Sequence, residues 1–492
     1  MNVFAMIIFG ASGDLTKRKL MPALYLLYKD QRLTGNFVIV GVGRTLYTDE
    51  TYRAYLLSEL QTFIPDGERD NTLLAAFAAH LYYLSADPAM ETGYAVLNQR
   101  LSMLTGEAEP DNLLFYLATP PELYGVIPLH LKAVGLNRKG TRIIVEKPFG
   151  TDLASAKELN RLYAEVFDEQ QIFRIDHFLG KETAQNLLAF RFANGIFEPL
   201  WNRNYIDYVE VTAVENLGIG TRGGFYDSTG ALRDMVQNHL IQLVALTAME
   251  PPARFNADSF RNEVVKVYES LTPLTEEDLS RNVVRGQYIG YRGEKNVAPE
   301  SRTDTYIGMK LGISNWRWSG VPFYIRTGKQ MPTKVTEIVV HFRPAPYQMF
   351  HCAGGNCPHA NKLILRLQPN EGIVFKIGLK MPGAGFEVKQ VTMDFSYNQL
   401  GGVPGGDAYV RLIEDCILGD ATLFTRSDAV EASWRYFDPI VRYWNEHADA
   451  PLYGYPAGTW GPLESETLMN GQGAVWTNPC KNLTHTDQYC EL

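Results

Sequence analysis

Two textures of hydrophobic patterning divide this chain, and they limit its possible folds more than any other feature. From Met1 to about Phe173, short apolar runs alternate with helical stretches, as βαβ units that build a parallel sheet require. Beyond about Asp176, strand-like segments follow one another at short spacing, which favours a mostly antiparallel sheet. We therefore predict an α/β domain over residues 1–175 and a larger β+α domain over residues 176–492. A ligand cleft is expected between two such domains.

The individual segments follow from the same patterns. In the first part the predicted strands are Val3–Phe9, Phe37–Val42, Leu113–Ala118 and Arg142–Val145, and the predicted helix is Lys17–Tyr28. In the second part the predicted strands are Tyr205–Val214, Thr305–Leu311, Pro322–Arg326, Thr336–Phe342, Leu363–Leu367, Ile373–Leu379 and Val391–Phe395. The predicted helices there are Glu182–Ala193, Gly230–Ala248, Asp407–Leu418 and Ser427–Trp444.

Charge and composition exclude several classes of protein. The 492 residues include 46 Lys and Arg and 55 Asp and Glu, a net charge of −9, and 46% are hydrophobic, which excludes disorder and collagen-like structure. An acidic chain lacks the positive field that nucleic acid requires, so we expect no such partner. The apolar run Val3–Phe9 is too short for a membrane span or a signal peptide, so we expect no membrane association and a cytoplasmic location. Five scattered cysteines agree with reduced thiols.

A glycine turn directly follows the first predicted strand and leads into a helix. Its residues are Gly10, Ala11, Ser12, Gly13, Asp14 and Leu15, followed by Thr16 and Lys17 in the first helical turn. Glycines there let the backbone approach a pyrophosphate, and free N–H groups at the helix N-terminus attract its charge. Two such glycines also occur in ordinary βα turns, so the motif alone leaves both interpretations open.

The residue after the second predicted strand bears on the choice of cofactor. Sites specific for NAD commonly place an acid there for the ribose 2′-hydroxyl, whereas this chain has Arg44. A guanidinium offers paired donors to a phosphate, so Arg44 favours the 2′-phosphate of NADP, although it is also compatible with a solvated surface arginine. Ser12 and Thr45 can add hydroxyl contacts, and some use of NAD is not excluded.

Charged residues cluster where the two predicted domains meet. Lys147 follows the strand Arg142–Val145, at the sheet edge where ligands of open α/β folds bind, although it can equally pair with its neighbour Glu146. The segment 174–182 places a carboxylate, an imidazole and an ammonium near a helix N-terminus, namely Asp176, His177 and Lys181. Such an arrangement suits a phosphate, and a capped helix with surface charges is the alternative.

A polar stretch interrupts the apolar helix predicted over Gly230–Ala248. At about 100° per residue, Asp234 and Gln237 share a flank and His239 lies near its border with the apolar face. A histidine in that position is often structural. Its combination with the preceding motifs favours a catalytic role.

Taken together, these segments are similar to the glucose-6-phosphate dehydrogenase family of the pentose phosphate pathway. The similarity covers essentially the whole chain and includes the segments 10–15, 146–150, 174–182, 230–239, 326–329 and 455–462. It implies a Rossmann NADP-binding domain at residues 1–175. It also implies a substrate-binding and oligomerisation domain at residues 176–492, commonly assembled as homodimers or homotetramers.

The resemblance also implies roles for individual residues. His239 corresponds to the general base that takes the proton of the sugar's C1 hydroxyl, and Asp176 to the carboxylate that orients it; neutral imidazole is a suitable acceptor near pH 7. Lys147 lies between substrate and nicotinamide. The remaining matches are with groups that hold glucose 6-phosphate: His177 and Lys181 on the 6-phosphate, Glu215 and Asp234 on the hydroxyls, and Lys329 and Lys334 closing the sugar site.

One position departs from the family pattern. The residue after His177 is often tyrosine in this family, and here it is Phe178, whose ring cannot donate a hydrogen bond to the phosphate. Losing one bond to a charged acceptor costs about 1.5 to 3 kcal/mol if nothing compensates. The substitution therefore bears on phosphate affinity rather than on the chemistry.

Three alternative interpretations compete with this one. A zinc knuckle formed by His351, Cys352, Cys357 and His359 has ligand spacing at the edge of the usual range, so we expect no metal. A sugar oxidoreductase of the glucose–fructose oxidoreductase type shares the Glu-Lys-Pro strand end but acts on unphosphorylated sugars. A catalytically inactive nucleotide-binding scaffold is disfavoured because His239, Asp176 and Lys147 are all present.

Overall fold

The computed structural model describes residues 4–106, 112–347, 349–352, 360–383, 385–400, 407–469, 474–480 and 489–491. They form two compact units. The first comprises Met1–Gly180, Arg254–Arg261 and Gly406–Glu431, and the second comprises Lys181–Ala253, Asn262–Gly405 and Ala432–Leu492. Among the described residues, every helix is too short or too polar to span a membrane.

A six-stranded parallel sheet forms the centre of the first unit. Its strands are β1 (Phe4–Phe9), β2 (Phe37–Gly43), β3 (Leu81–Ser85), β4 (Leu113–Leu117), β5 (Arg142–Val145) and β6 (Ile172–Arg174). Their order is β3-β2-β1-β4-β5-β6, with every neighbouring pair parallel. This is the strand order of dinucleotide-binding folds, whose ligands lie at the carboxyl ends of the strands.

A ten-stranded mixed sheet forms the second unit. Its strands are β7 (Ile206–Val214), β8 (Val283–Tyr288), β9 (Tyr306–Leu311), β10 (Phe323–Gly328), β11 (Val335–Phe342), β12 (His351–Cys352), β13 (Lys362–Gln368), β14 (Gly372–Lys380), β15 (Glu387–Ser396) and β16 (Tyr453–Tyr455). Six of its nine pairings are antiparallel; β7 with β10, β8 with β16 and β12 with β15 are parallel. The predicted fold class, a parallel α/β sheet and a larger mostly antiparallel one, is confirmed.

Thirteen α-helices accompany the two sheets in the described residues. They are α1 (Met21–Lys29), α2 (Asp49–Phe63), α3 (Asn71–Ala78), α4 (Thr92–Thr105), α5 (Val126–Ala133), α6 (Leu153–Ala164), α7 (Glu182–Phe192), α8 (Gly223–Ala231), α9 (Ile241–Ala248), α10 (Ala257–Glu269), α11 (Glu276–Asn282), α12 (Ala408–Leu418) and α13 (Ser427–Glu446). Two π-helical segments, Thr16–Leu20 and Leu232–Leu240, lead into α1 and α9. The helices predicted from the sequence match these elements in position. The sequence patterns do not indicate the two π-helical segments.

The cysteines correct one expectation. Cys480 and Cys490 form a disulfide, so the expectation of reduced thiols is wrong for this pair. The Cys480 N–H donates to the Cys490 carbonyl at 2.9 Å, and this backbone pairing brings the two Cα atoms to 5.3 Å. Cys416 is a free, buried thiol.

Candidate active site

The glycine turn in the first unit has the geometry that a close ligand approach requires. Gly10 has φ +83°, and a Cβ there would lie 2.1 Å from the Ala118 carbonyl oxygen, so a larger residue cannot be placed. The Gly10 N–H donates to Val42 O at 2.9 Å, and the Thr16 hydroxyl donates to Gly10 O at 3.1 Å. The turn is therefore fixed against the ends of β1, β2 and β4, and it suits a pyrophosphate.

The remaining residues of the turn differ in what they leave available. Ala11 and Thr16 are fully buried, whereas Ser12, Gly13 and Leu15 are half-buried. Among the charged members, Asp14 pairs with Arg18 at 2.7 Å and Lys17 with Glu59 at 3.5 Å. The turn thus offers backbone groups and a serine hydroxyl rather than a free charge.

Arg44 supplies the positive charge at this edge of the sheet. It follows β2, is exposed, and makes no ion pair with any residue that the structure describes. The neighbouring Thr45 hydroxyl donates to the Ser12 hydroxyl at 3.0 Å, which links the end of β2 to the glycine turn. The guanidinium therefore remains accessible to a phosphate beside the turn.

Glu146, the residue before Lys147, fixes the end of strand β5 through hydrogen bonds. Glu146 accepts hydrogen bonds from the hydroxyls of Tyr116, at 2.5 Å, and Tyr409, at 3.1 Å. Burial raises the pKa of Glu146, and those two hydroxyls and the charge of Lys147 oppose the shift. Lys147 itself is half-buried and precedes Pro148 through a cis peptide bond.

Asp176 and His177 follow β6 in the first unit. Asp176 is buried, and its Oδ1 accepts the Phe178 N–H at 2.9 Å, which fixes the turn after the strand. The Phe178 ring is also buried and contacts the half-buried His177 ring edge to face, with 5.1 Å between centroids. Phe178 therefore packs against the imidazole. This contact is made by the ring alone, so it does not require the hydroxyl that a tyrosine would carry.

Lys181 belongs to the second unit, where it precedes α7. Its ammonium donates to Gln368 Oε1 at 3.0 Å, and the Thr183 hydroxyl donates to Leu367 O at 3.3 Å. These bonds tie the start of α7 to β13. His177 and Lys181 lie in different units, so their shared role at a phosphate stays a prediction.

The segment that carries Asp234 and His239 is π-helical rather than α-helical. The Ile241 N–H donates to Val236 O, five residues earlier, so each turn is wider than an α-helical turn. Asp234 and His239 are five residues apart, so their side chains lie nearer to the same face of this segment than they would in an α-helix. Both are buried, with exposures of 8% and 1%, and the proposed partnership of His239 with Asp176 stays a prediction.

A buried residue just before β9, Asp304, anchors the start of this π-helical segment. The Asp304 carboxylate accepts the Leu232 N–H at 2.7 Å, and its carbonyl accepts the Ala231 N–H at 2.9 Å. Gly230 has φ +73°, and a Cβ there would lie 2.5 Å from Asp304 Oδ1. Burial raises the pKa of Asp304. Gly230 therefore permits the close contact that fixes where the segment begins.

Three other residues of the second unit, Glu215, Lys329 and Tyr226, form a cluster around an ion pair. Lys329, which is 3% exposed, forms an ion pair with Glu215, and its ammonium lies 5.5 Å from the centroid of the Tyr226 ring. Burial, and then the negative charges of Asp234 and Asp304, raise the pKa of Tyr226. The structure thus brings Glu215 and Lys329 into contact and places Tyr226 within the electrostatic influence of Asp234. Lys334, by contrast, is exposed on the turn between β10 and β11.

Sequence reasoning missed two members of this region, Tyr226 and Asp304. The Tyr226 hydroxyl is buried and has no hydrogen-bond partner in the described part of the chain. Asp304 lies about 70 residues from the segment that it anchors, and no local pattern connects the two. The alternative zinc ligands Cys357 and His359 lie outside the described residues, and the expected absence of a metal stays a prediction.

Two family models together match nearly all of the chain. The model for "Glucose-6-phosphate dehydrogenase, NAD binding domain" matches residues 7–186, and that for "Glucose-6-phosphate dehydrogenase, C-terminal domain" matches residues 188–477. A glucose-6-phosphate 1-dehydrogenase of Aggregatibacter actinomycetemcomitans is 50% identical over 96% of this chain and 97% of its own length. The enzyme of Bacillus subtilis is 41% identical over 96% and 98%.

Solved structures give the same relationship. A glucose-6-phosphate dehydrogenase in complex with its substrate glucose-6-phosphate is 34% identical, with a TM-score of 0.88 over 97% of this chain and 99% of that one. The glucose-6-phosphate 1-dehydrogenase of Mycobacterium avium is also 34% identical, with a TM-score of 0.85 over 96% and 98%. The similarity therefore extends from the sequence of both units to their folds.

Proposed function

Because this chain belongs to the glucose-6-phosphate dehydrogenase family, we propose that it oxidises D-glucose 6-phosphate at C1 to the 6-phospho-1,5-lactone, with NADP as the hydride acceptor. The observation that carries this proposal is the 50% identity to a glucose-6-phosphate 1-dehydrogenase over nearly the full length of both chains. The glycine turn, the buried His239 and the Glu215–Lys329 pair supply the matching chemistry within this chain.

His239 acts as the general base in this proposal. Its imidazole takes the proton of the C1 hydroxyl as the C1–H bond breaks, so that the electron pair of that bond leaves with the hydride and C1 becomes a carbonyl carbon. The nicotinamide, when bound, accepts the hydride at C4. Positioned bases of this kind contribute roughly 100- to 10,000-fold in rate.

Asp176 orients that base. A carboxylate on the second imidazole nitrogen fixes the tautomer that can accept a proton and stabilises the imidazolium that forms. Burial of Asp176, together with the fixed turn to Phe178, supports a single orientation of the carboxylate. Lys147, at the end of β5, adds positive charge between the sugar and the nicotinamide.

The sugar is held through its hydroxyls at one end and its phosphate at the other. Glu215 and Asp234 accept hydrogen bonds from the hydroxyls, and Lys329 and Lys334 close the sugar site. His177 and Lys181 hold the doubly charged 6-phosphate, which an acidic protein can attract only through such a local positive pocket. Phosphate binding therefore fixes the sugar so that C1 reaches the base.

The cofactor is held by residues 10–17 and Lys147, and Arg44 selects NADP through its 2′-phosphate. The restricted space at Gly10 and the accessible guanidinium of Arg44 support this assignment. NAD shares the pyrophosphate and lacks the 2′-phosphate, so it is expected to act as a weaker alternative acceptor.

An assay of reduced nicotinamide absorbance tests substrate and cofactor together. The purified protein is given glucose 6-phosphate or glucose, each with NADP or NAD. We expect rapid reduction of NADP with glucose 6-phosphate and little with glucose. Faster oxidation of the free sugar would favour the glucose–fructose oxidoreductase alternative, and cofactor binding without turnover would favour an inactive scaffold.

A further inference from the structure

A cleft of the second unit, separate from the residues assigned above to the sugar, concentrates arginine side chains. It has a volume of about 410 Å³ and lies between the start of the π-helical segment, the end of α13 and the strand pair β8–β9. Its charged lining residues are Arg233, Arg285, Arg302, Asp227 and Asp304.

The three guanidinium groups are held in place by backbone carbonyls. Arg285 donates to the carbonyls of Pro451 and Ala450 at 2.9 and 3.0 Å, and Arg302 donates to the Ala450 carbonyl at 2.6 Å. Arg233 donates to the carbonyls of Thr229 and Ser228 at 2.8 and 2.5 Å. Within the described ranges none of the three forms an ion pair with a carboxylate.

Arg285 is the most informative of these arginines because it is only 5% exposed. Its guanidinium lies 4.8 Å from the centroid of the Trp444 ring; burial lowers its pKa, and the negative charge of Asp304 opposes that shift. A buried cation is costly unless it is paired with an anion, and backbone carbonyls and a ring face supply only partial compensation.

The two acidic residues of the cleft accept hydrogen bonds from other groups, and the charge of Asp304 also acts on Arg233 and Arg285. Asp227 accepts hydrogen bonds from Tyr291, Ser301 and the Ala298 N–H. The Asp304 carboxylate accepts the Leu232 N–H. The cleft therefore keeps a net positive charge and unused guanidinium N–H donors, since each guanidinium has five.

We propose that this cleft binds a small oxyanion, a phosphate or carboxylate group of a metabolite, in addition to the substrate. Arg285 forms the floor of the site, and Arg233 and Arg302 reach the anion from its rim with the paired N–H donors that suit such groups. Arg233 directly precedes Asp234 on the π-helical segment. Occupancy is therefore coupled to the helix that carries Asp234 and His239.

Calorimetric titration with inorganic phosphate tests the proposal, with citrate in a parallel titration to distinguish phosphate from carboxylate preference. Both titrations contain saturating glucose 6-phosphate and NADPH, so that the phosphate sites assigned above to the substrate and to the cofactor are filled. We expect saturable binding of one anion per chain. No saturable binding of either anion under these conditions would overturn the proposal.

Two variants of exposed rim residues locate the binding. Arg302→Gln removes a donor and Asn445→Asp adds a negative charge, and each is expected to weaken binding at least about tenfold because the site recognises charge. Turnover in buffer free of phosphate and citrate should remain unchanged in both. Arg281→Gln, an exposed arginine that pairs with Glu277 on α11, is the control and should bind as the unmodified protein does. Undiminished binding by both rim variants would show that the anion lies elsewhere.

Discussion

His239 is fully enclosed by protein on the π-helical segment, and its assigned task is to accept a proton. His239→Asn keeps a polar side chain of similar size but removes the base, so we expect kcat to fall at least about 100-fold while KM for glucose 6-phosphate changes little. The measurement is steady-state kinetics at a series of pH values. The part of the pH–rate profile that reports ionisation of the base should be absent in the variant. A large rise in KM with normal kcat would instead assign His239 to ground-state binding.

The proposed role of Arg44 is to select between the two nicotinamide cofactors. Arg44→Ala should raise KM for NADP far more than KM for NAD, because only NADP carries the 2′-phosphate. Losing a hydrogen bond to a charged group costs about 1.5 to 3 kcal/mol, or about 10- to 150-fold. Arg281→Ala, at an exposed arginine that pairs with Glu277 on α11, is the control. Equal losses for both cofactors would show that Arg44 does not contact the extra phosphate.

At the scale of single residues, the sequence was informative where a residue with suitable chemistry lies within a recognisable motif. Gly10 and Arg44 could be singled out because they directly follow the first two strands, whereas His239 could be singled out only in combination with the other motifs. Tyr226 and Asp304 could not, because a buried tyrosine and an isolated aspartate are ordinary in a core. Their importance depends on contacts with residues far away along the chain.

At the scale of elements, the helix over Gly230–Ala248 was predicted in position but not in geometry. Rotation by about 100° per residue places His239 at the border of the polar flank. The π-helical winding, anchored by Asp304 and the conformation of Gly230, brings His239 closer to the face of Asp234. Hydrophobic periodicity contains no signal for such a change, since its cause lies in a tertiary contact.

Glu337 on strand β11 has no hydrogen-bond or ion-pair partner in the part of the chain described. Both of its carboxyl oxygens are buried without hydrogen bonds, and burial, followed by the charge of Glu210, raises its pKa from 4.5 to about 8. The folded chain therefore holds a proton that the unfolded chain releases above pH 4.5. Stability from this group is present below pH 4.5 and is lost as pH rises towards about 8.

Glu337→Gln should remove this pH dependence, because the amide stays neutral at all of these pH values. We expect the variant to gain stability relative to the unmodified protein between about pH 5 and pH 8, by up to about 1.4 kcal/mol per pH unit. Urea unfolding at a series of pH values measures the difference. Glu300→Gln, an exposed glutamate, is the control. Parallel stability curves for the unmodified protein and Glu337→Gln would show that Glu337 is ionised in the fold.

At the scale of the whole molecule, the two textures of the sequence correctly predicted two different sheets. Buried parallel strands form continuous apolar runs, which is why β1, β2, β4 and β5 were recognisable. β6 has only three residues and β3 alternates buried with half-buried positions, so neither formed such a run. The inclusion of Gly406–Glu431 in the first unit depends on long-range contacts, which local patterns do not encode.

One face of the outer strands β14 and β15 remains apolar and accessible. The register pairs Ile373 with Phe395, Phe375 with Met393 and Ile377 with Val391, so these six side chains share that face. Met393 and Phe395 are 59% and 38% exposed. Contiguous exposed apolar surface is typical of protein interfaces, and we propose that a second copy of this chain covers it in a symmetric homodimer. We therefore expect the predicted homo-oligomer to form through this face.

Met393→Glu should shift the assembly towards single chains, because it buries an unpaired charge at the centre of the expected interface. Sedimentation equilibrium of the unmodified protein should give the mass of a dimer or tetramer, and of the variant a mass nearer to one chain at low concentration. Thr392→Glu adds the same charge at an exposed neighbouring position on the opposite face of the strand and should leave the mass unchanged. An unmodified protein that sediments as a single chain, or a Met393→Glu oligomer as stable as the Thr392→Glu control, would place the interface elsewhere or exclude it.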